Sequence, residues 1–262
     1  MLRQFFFSSN PWLFPAAMLL LLGLSIELPY RFVGSLFRGS VKDDAWNAVQ
    51  AGIVTLAAFV VGLSFAQASA RFDARRGLVV KEANAIGTTW LRADQLQSND
   101  ANRFRGTLTE YTAARLSAYE TPHDPALYRK TIDSSNRDQA TLWSIASQAL
   151  RVRPTDLGLS LLMQSLNDTI DVSAEQLQAL TSHVPTAILV LTVVLMWLST
   201  LSIGMRFARD NSRPLAMSAL FVIASVVVLS MVVDYDRPQT GFVRVNLNPI
   251  KLQLQSMQQA QK

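Results

Sequence analysis

Between Asp44 and about Gln97 an apolar stretch of membrane-spanning length passes without a break into a charged one, and this limits the fold more than any other feature. The segment, DAWNAVQAGIVTLAAFVVGLSFAQASARFDARRGLVVKEANAIGTTWLRADQLQ after Asp43, holds no proline and only scattered glycines, so nothing forces a helix to stop inside it. Ala45 to Ala70 carries no formal charge, which is more than the roughly 20 residues a hydrocarbon core requires. Arg71, Asp73, Arg75, Arg76, Lys81 and Glu82 then follow closely. A single rod is expected to leave the bilayer and continue into an aqueous domain.

At about 100° per residue, Gln50, Ala57, Ser64 and Arg71 fall on one line of this rod, with Gln67, Arg75 and Glu82 close beside it. Two readings of the small and polar stripe are open. Small residues let helices approach closely in a bilayer, with Ser and Gln as glue between them; alternatively, copies of the stripe face one another and line a water-filled path. The charges that end the stripe have the same duality. They are interfacial anchors, or Arg71 and Arg75 form a basic vestibule and pair with Glu82 across neighbouring copies.

The chain of 262 residues is 50% hydrophobic and only 16% charged, too apolar for an ordinary soluble domain and too polar to be membrane throughout. Cysteine is absent, which excludes disulfides, a thiolate nucleophile and cysteine metal sites. The net charge of +5 comes from basic residues gathered near the apolar segments, as at membrane boundaries, so nucleic acid is not an expected partner.

Pro11 to Ile26 is a leucine-rich run. It resembles a signal peptide, but no small-residue cleavage site follows, and it reads as a first transmembrane helix with Trp12 and Tyr30 as interfacial aromatics. Glu27 and Arg31 are spaced to pair on a helix face, although Pro29 puts continuity there in question. Gly39, Ser40, Lys42, Asp43 and Asp44 form a polar turn into the rod. After Gln97, three amphipathic helices are expected. Phe104, Leu108, Tyr111 and Tyr119 mark the first, ended by the TPHDP segment; Leu127, Ile132, Leu142, Ile145 and Leu150 mark the second, interrupted by a polar DSSNRD patch. The third starts after Arg153, Pro154, Thr155 and Asp156 and carries Leu159, Leu162, Leu166, Ile170, Leu177 and Leu180. Val184 to Met205 and Leu215 to Val233 are two further membrane spans, joined by a basic turn with Arg206, Arg209 and Arg213.

The expected fold is therefore all-α: four transmembrane helices with a helical aqueous domain inserted between helices 2 and 3. Its divisions fall at residues 1–70 for the first two spans, 71–183 for the domain, 184–234 for the last two spans, and 235–262 for a tail ending in a short amphipathic helix.

Chemistry-bearing motifs are absent. His123 and His183 have no second ligand at metal spacing, and there is no glycine-rich phosphate loop, nucleophile elbow or zinc-protease motif, so neither an enzyme nor a cofactor is expected. Asp234 and Asp236 could offer oxygens to a hard cation, although solvation of a helix end explains two acids there more simply.

The stretch ARFDARRGLVVKEANAIGTTWLR from Ala70 to Arg92, with DYDRPQTGFVRVN from Asp234 to Asn246, resembles the bestrophin-like family of bacterial membrane proteins, relatives of the bestrophin anion channels. The resemblance extends over nearly the whole chain. It implies a homo-oligomer, a pentamer in bestrophins, in the bacterial inner membrane, conducting small ions, with the aqueous domain and termini in the cytosol. Bestrophins line their pore with the second helix and a neck of bulky apolar side chains. The stripe at Gln50, Ala57 and Ser64 is small and polar, so no such neck carries over to it.

Two functions compete on this reading. One is an oligomeric channel for small ions, drawn as anions along a vestibule of Arg71 and Arg75; the other is a membrane-anchored interaction or sensory protein without transport. Orientation is divided too: the short turns are denser in Lys and Arg than the N-terminus, while Arg71, Arg75, Arg76, Lys81, Arg237, Arg244 and Lys251 lie on the domain side and favour a cytosolic domain.

Overall fold

The computed structural model describes residues 6, 10–32, 43–121, 125–237 and 241–261. The expected turn at Gly39, Ser40 and Lys42, together with His123, lies outside the described residues. Among them the regular structure is entirely helical.

Helix α1 spans Leu13–Phe32 and runs through Pro29. Proline removes the bond to the carbonyl four residues earlier, here that of Ser25. This carbonyl lies against the next-but-one membrane helix at a glycine: a Cβ on Gly204 would sit 2.9 Å from Ser25 O and 2.6 Å from Ile26 O. Only a residue without a side chain allows that approach. Helix α2, Asp43–Arg92, is 50 residues long, or about 75 Å at 1.5 Å per residue, and a turn of 3-10 helix at Ala93–Gln95 ends it. Helices α3 (Ser98–Glu120), α4 (Pro125–Val152) and α5 (Leu157–Thr181) follow, then α6 (Thr186–Asp210), α7 (Leu215–Asp236) and α8 (Asn248–Ala260).

The chain divides into two compact units, the first built chiefly from Met1–Arg71 and His183–Arg237, the second from Phe72–Ser182 and Arg244–Lys262. The first holds four helical segments long and apolar enough to cross a membrane, in α1, α2, α6 and α7. In its core, Phe14, Met18 and Leu22 of α1 meet Leu189 and Met196 of α6, Val222, Val226 and Leu229 of α7, and Ala57, Val61 and Ala68 of α2. Hydroxyl pairs cross this apolar packing: Ser25 with Thr200 at 2.6 Å and Ser64 with Thr192 at 2.8 Å. Such contacts bind helices together where no water competes. Helix α6 ends at Asn211, whose backbone is left-handed at φ 47°, a conformation asparagine tolerates.

In the second unit α3 and α4 form an antiparallel hairpin against α5. Phe104, Leu108 and Tyr111 of α3, Leu142 and Ile145 of α4, and Leu159, Leu162 and Leu166 of α5 share one core with Ile86 and Trp90 of α2 and Met257 of α8. These are the apolar stripes read from the sequence. The DSSNRD patch does not interrupt α4, which is continuous over 28 residues; the patch contains neither proline nor glycine, and Ser135 turns inward, 2% exposed. Helix α5 starts at the expected signal, the Asp156 carboxylate accepting from the Leu159 amide at 3.1 Å as an N-cap.

Candidate functional site

The face that α2 buries decides what it can offer to anything else. Ala57 is 1% exposed and Ser64 fully buried, and in the aqueous unit Arg75, Val79, Glu82, Ile86 and Thr89 continue the buried side. Gln50, Gln67 and Arg71 are half-buried. The expectation that Ala57 and Ser64 line a path or a junction between copies is corrected here: they pack on helices of their own chain, where a small side chain permits close approach and the Ser64 hydroxyl finds Thr192.

The opposite side of α2 is bare. Leu56, Phe59 and Leu63 are 51%, 69% and 48% exposed, among exposed Gly52, Thr55, Gly62 and Ala66. In the most apolar window of α2 only 17% of residues are buried, against 33%, 39% and 33% for the other three membrane segments. Further along the same side, Asp73, Arg76 and Lys81 are exposed, and Lys81 is bridged to Glu175 at 2.9 Å.

The charges of the stripe are used within the chain. The Arg75 guanidinium donates to the carbonyls of Ala179 and Ser182, at 3.1 and 2.6 Å, where a cation meets the unsatisfied carbonyls of the α5 C-terminus. Glu82 accepts from Arg115 Nε and from the Tyr119 hydroxyl, both at 2.6 Å, and Arg115 also donates to Tyr119 Oη at 2.8 Å. The expected pairing of Arg71 and Arg75 with Glu82 between copies is therefore corrected: Glu82 is fully buried against its own α3, and Arg75 is 2% exposed, so neither presents its charge to a neighbour.

Burial pushes the Tyr119 phenol well above the usual tyrosine range, and the Glu82 carboxylate pushes it further. Burial works against the charge of Arg115, yet Glu82 beside it holds the guanidinium above its ordinary value. Tyr111, buried nearby, is raised by desolvation and then by Glu82. The triad is thus a carboxylate held by a permanent cation and a neutral phenol.

Asp234 and Asp236 are 7% and 0% exposed and serve the backbone. Asp234 accepts from the amides of Phe242 and Val243, each at 2.8 Å, and its side chain fills the space a Cβ on Gly241 would need. Both oxygens of Asp236 accept from the Val184 amide, at 3.1 and 2.9 Å, and His183 Nδ1 lies 3.4 Å from one of them. They pin the ends of α6 and α7, which corrects both the cation site and the solvated helix end. Among the described residues no group of three or more acidic or histidine side chains is placed to hold a metal.

Arg115 went unremarked in the sequence although a signal was present. It falls on the stripe of Phe104, Leu108, Tyr111 and Tyr119, and a cation on a buried stripe needs a buried anion. Thr89, bonded to Thr169 at 2.9 Å, carried no such signal.

The model for the bestrophin-like domain matches residues 16–250. The chain belongs to the bestrophin-like family. Its fold is also that of solved family homologues. A bacterial bestrophin homologue from Klebsiella pneumoniae, phased by zinc, is 15% identical with a TM-score of 0.64, over 96% of this chain and 97% of that one. Two single-substitution variants of a bestrophin homologue from the same organism, again 15% identical, align with TM-scores of 0.66 and 0.65, over 95% of this chain in each case and 97% and 96% of theirs. No curated protein matches the sequence significantly. With four apolar spans and this family, the chain is a membrane protein.

Proposed function

We propose that copies of this chain close into a ring in the membrane and conduct small ions along its axis, with the bare side of α2 facing the path. The observation that carries the reading is the 17% burial of the apolar window of α2, the least covered of the membrane segments in its own unit. Lipid alone could cover it, but Gly52, Thr55, Phe59, Gly62 and Ala66 recur at three- and four-residue spacing. That spacing suits several helices meeting side by side.

On this reading Phe59, with Leu56 and Leu63 beside it, forms an apolar constriction that gates by dewetting. The bulky residues of such a neck lie opposite the stripe of Gln50, Ala57 and Ser64. The basic vestibule is not retained, because Arg75 is held by the carbonyls of Ala179 and Ser182. Asp73 and Arg76 are the exposed charges just beyond the apolar stretch, so the mouth is mixed in sign and the ion's charge follows from measurement. A cytosolic domain in a bacterial inner membrane belongs to the same proposal, supported by the charges flanking the aqueous unit, and the ring is a pentamer by analogy with bestrophins.

Reconstitution of the purified protein tests the proposal through two readouts, subunit number and ion flux with reversal potential in liposomes. A ring with flux that rises in Phe59→Ala is the expected result. Monomers without flux would leave the rival reading, an anchor for an interacting aqueous domain.

A further inference from the structure

We propose that the membrane unit holds an anionic phospholipid, its phosphate on Arg213 and one acyl chain in a crevice beside α1. The crevice has a volume of about 340 Å³. Its walls are apolar, with Leu19, Gly23 and Ile26 from α1 and Val222 from α7, and Glu27, Tyr30 and Arg213 stand at one end. From Leu19 to Tyr30 the groove follows α1 for about 16 Å at the helical rise. Its polar end coincides with the last turn of α1 and the turn before α7, the level at which a spanning helix meets headgroups.

Charge selects the occupant. Glu27 Oε1 is shared by two guanidiniums, Arg31 Nε at 2.6 Å and Arg213 at 2.5 Å. One carboxylate between two permanent cations leaves one positive charge uncompensated. The Arg213 side chain is 44% exposed, and its guanidinium lies 5.4 Å from the Tyr30 ring centroid, a cation–π contact at the same end of the crevice. A guanidinium with donors to spare matches phosphate geometry. A zwitterionic choline lipid carries its own compensating cation, whereas phosphatidylglycerol supplies the missing negative charge.

The glycine in the wall supplies a second, independent handle. A Cβ on Gly23 meets nothing within 4 Å, so a larger side chain there enters the crevice without disturbing the helix packing. Leucine in place of glycine also favours the helix.

The test uses the full chain in mild detergent, with dioleoyl phosphatidylglycerol, dioleoyl phosphatidylcholine and inorganic phosphate as separate probes. Native mass spectrometry and thermal melting are the readouts. Wild-type protein is expected to retain phosphatidylglycerol and gain melting temperature from it, with phosphatidylcholine weaker. Arg213→Gln should cost about tenfold in affinity for phosphatidylglycerol, the scale of one charge-assisted hydrogen bond, and bring the two lipids level. Gly23→Leu should lower the binding of both lipids without lowering the melting temperature in their absence. Equal retention of the two lipids by wild type, full binding by Gly23→Leu, or competition by inorganic phosphate as effective as by the lipid would each overturn the proposal.

Discussion

Glu82 and Arg115 meet at 2.6 Å from positions 33 residues apart, with their side chains 0% and 2% exposed. Two ions so placed have each lost their water, and each is tolerable only because the other is present, helped by Tyr119. The pair therefore makes α2 and α3 depend on one another.

Removing one member should be far worse than removing both. Arg115→Met alone is expected to cost about 3–5 kcal/mol, the scale of an uncompensated buried charge. The double variant Glu82→Leu with Arg115→Met should recover much of that loss. Denaturant unfolding of the four-member cycle measures it, and additive single costs would refute the coupling.

Alkali should loosen the same site. Tyr111 and Tyr119 keep their protons in the folded chain above the pH at which unfolded tyrosines lose theirs. Above about pH 10 the unfolded state binds fewer protons, so stability falls as pH rises, and below that the contribution is complete. Tyr119→Phe should start lower, by about 1.5–3 kcal/mol for a hydrogen bond to a charged group, and show a shallower alkaline decline. Melting temperature followed from pH 7 to 11 distinguishes the two.

Arg75→Gln should destabilise the second unit by about 1.5–3 kcal/mol, as the buried charged donor to the carbonyls of Ala179 and Ser182 is lost. Melting in detergent is the measurement. Had Arg75 only furnished a vestibule, the variant would melt like wild type and alter conduction alone.

Cysteine scanning reads the two sides of α2 directly, since the natural chain contains no cysteine. In the assembled protein, Phe59→Cys and Thr55→Cys are expected to react with a water-soluble thiol reagent, and Ser64→Cys, buried against Thr192, to be protected. The reverse pattern would restore the small and polar stripe as the wet one.

Gly204→Ala places a methyl 2.6 Å from the Ile26 carbonyl oxygen. Backbone cannot yield as a flexible side chain can, so α1 and α6 must move apart. A loss of about 1–3 kcal/mol, the usual cost of overpacking, should appear in thermal melting.

Much of this fold was legible because hydropathy and helical period report on whole segments. The spans, the apolar stripe of α3 and the cap at Asp156 needed no knowledge of partners. What the sequence left open was the identity of the partner. Ala57 and Ser64 suit a junction within one chain as well as one between copies, and no local signal separates the two; the bulky side at Leu56 and Phe59 reads like any lipid-facing side of a membrane helix. Glu82 was readable as a charge seeking an ion, but its partner came from the following helix. Asp236 illustrates the same limit, since its ligand is the amide of Val184, 52 residues away.

The unbroken course of α2 has a consequence for how this chain can change. In the second unit its buried residues keep one helical phase from Arg75 to Thr89, so the contacts of Arg75 with Ala179 and Ser182 and of Glu82 with Arg115 share a single register. Deleting or inserting one residue between them would turn everything downstream by about 100° and misdirect one contact or the other. Individual side chains of this rod are open to replacement, whereas its length between those two contacts is fixed, and drift here should proceed by exchange of residues and never by gaps.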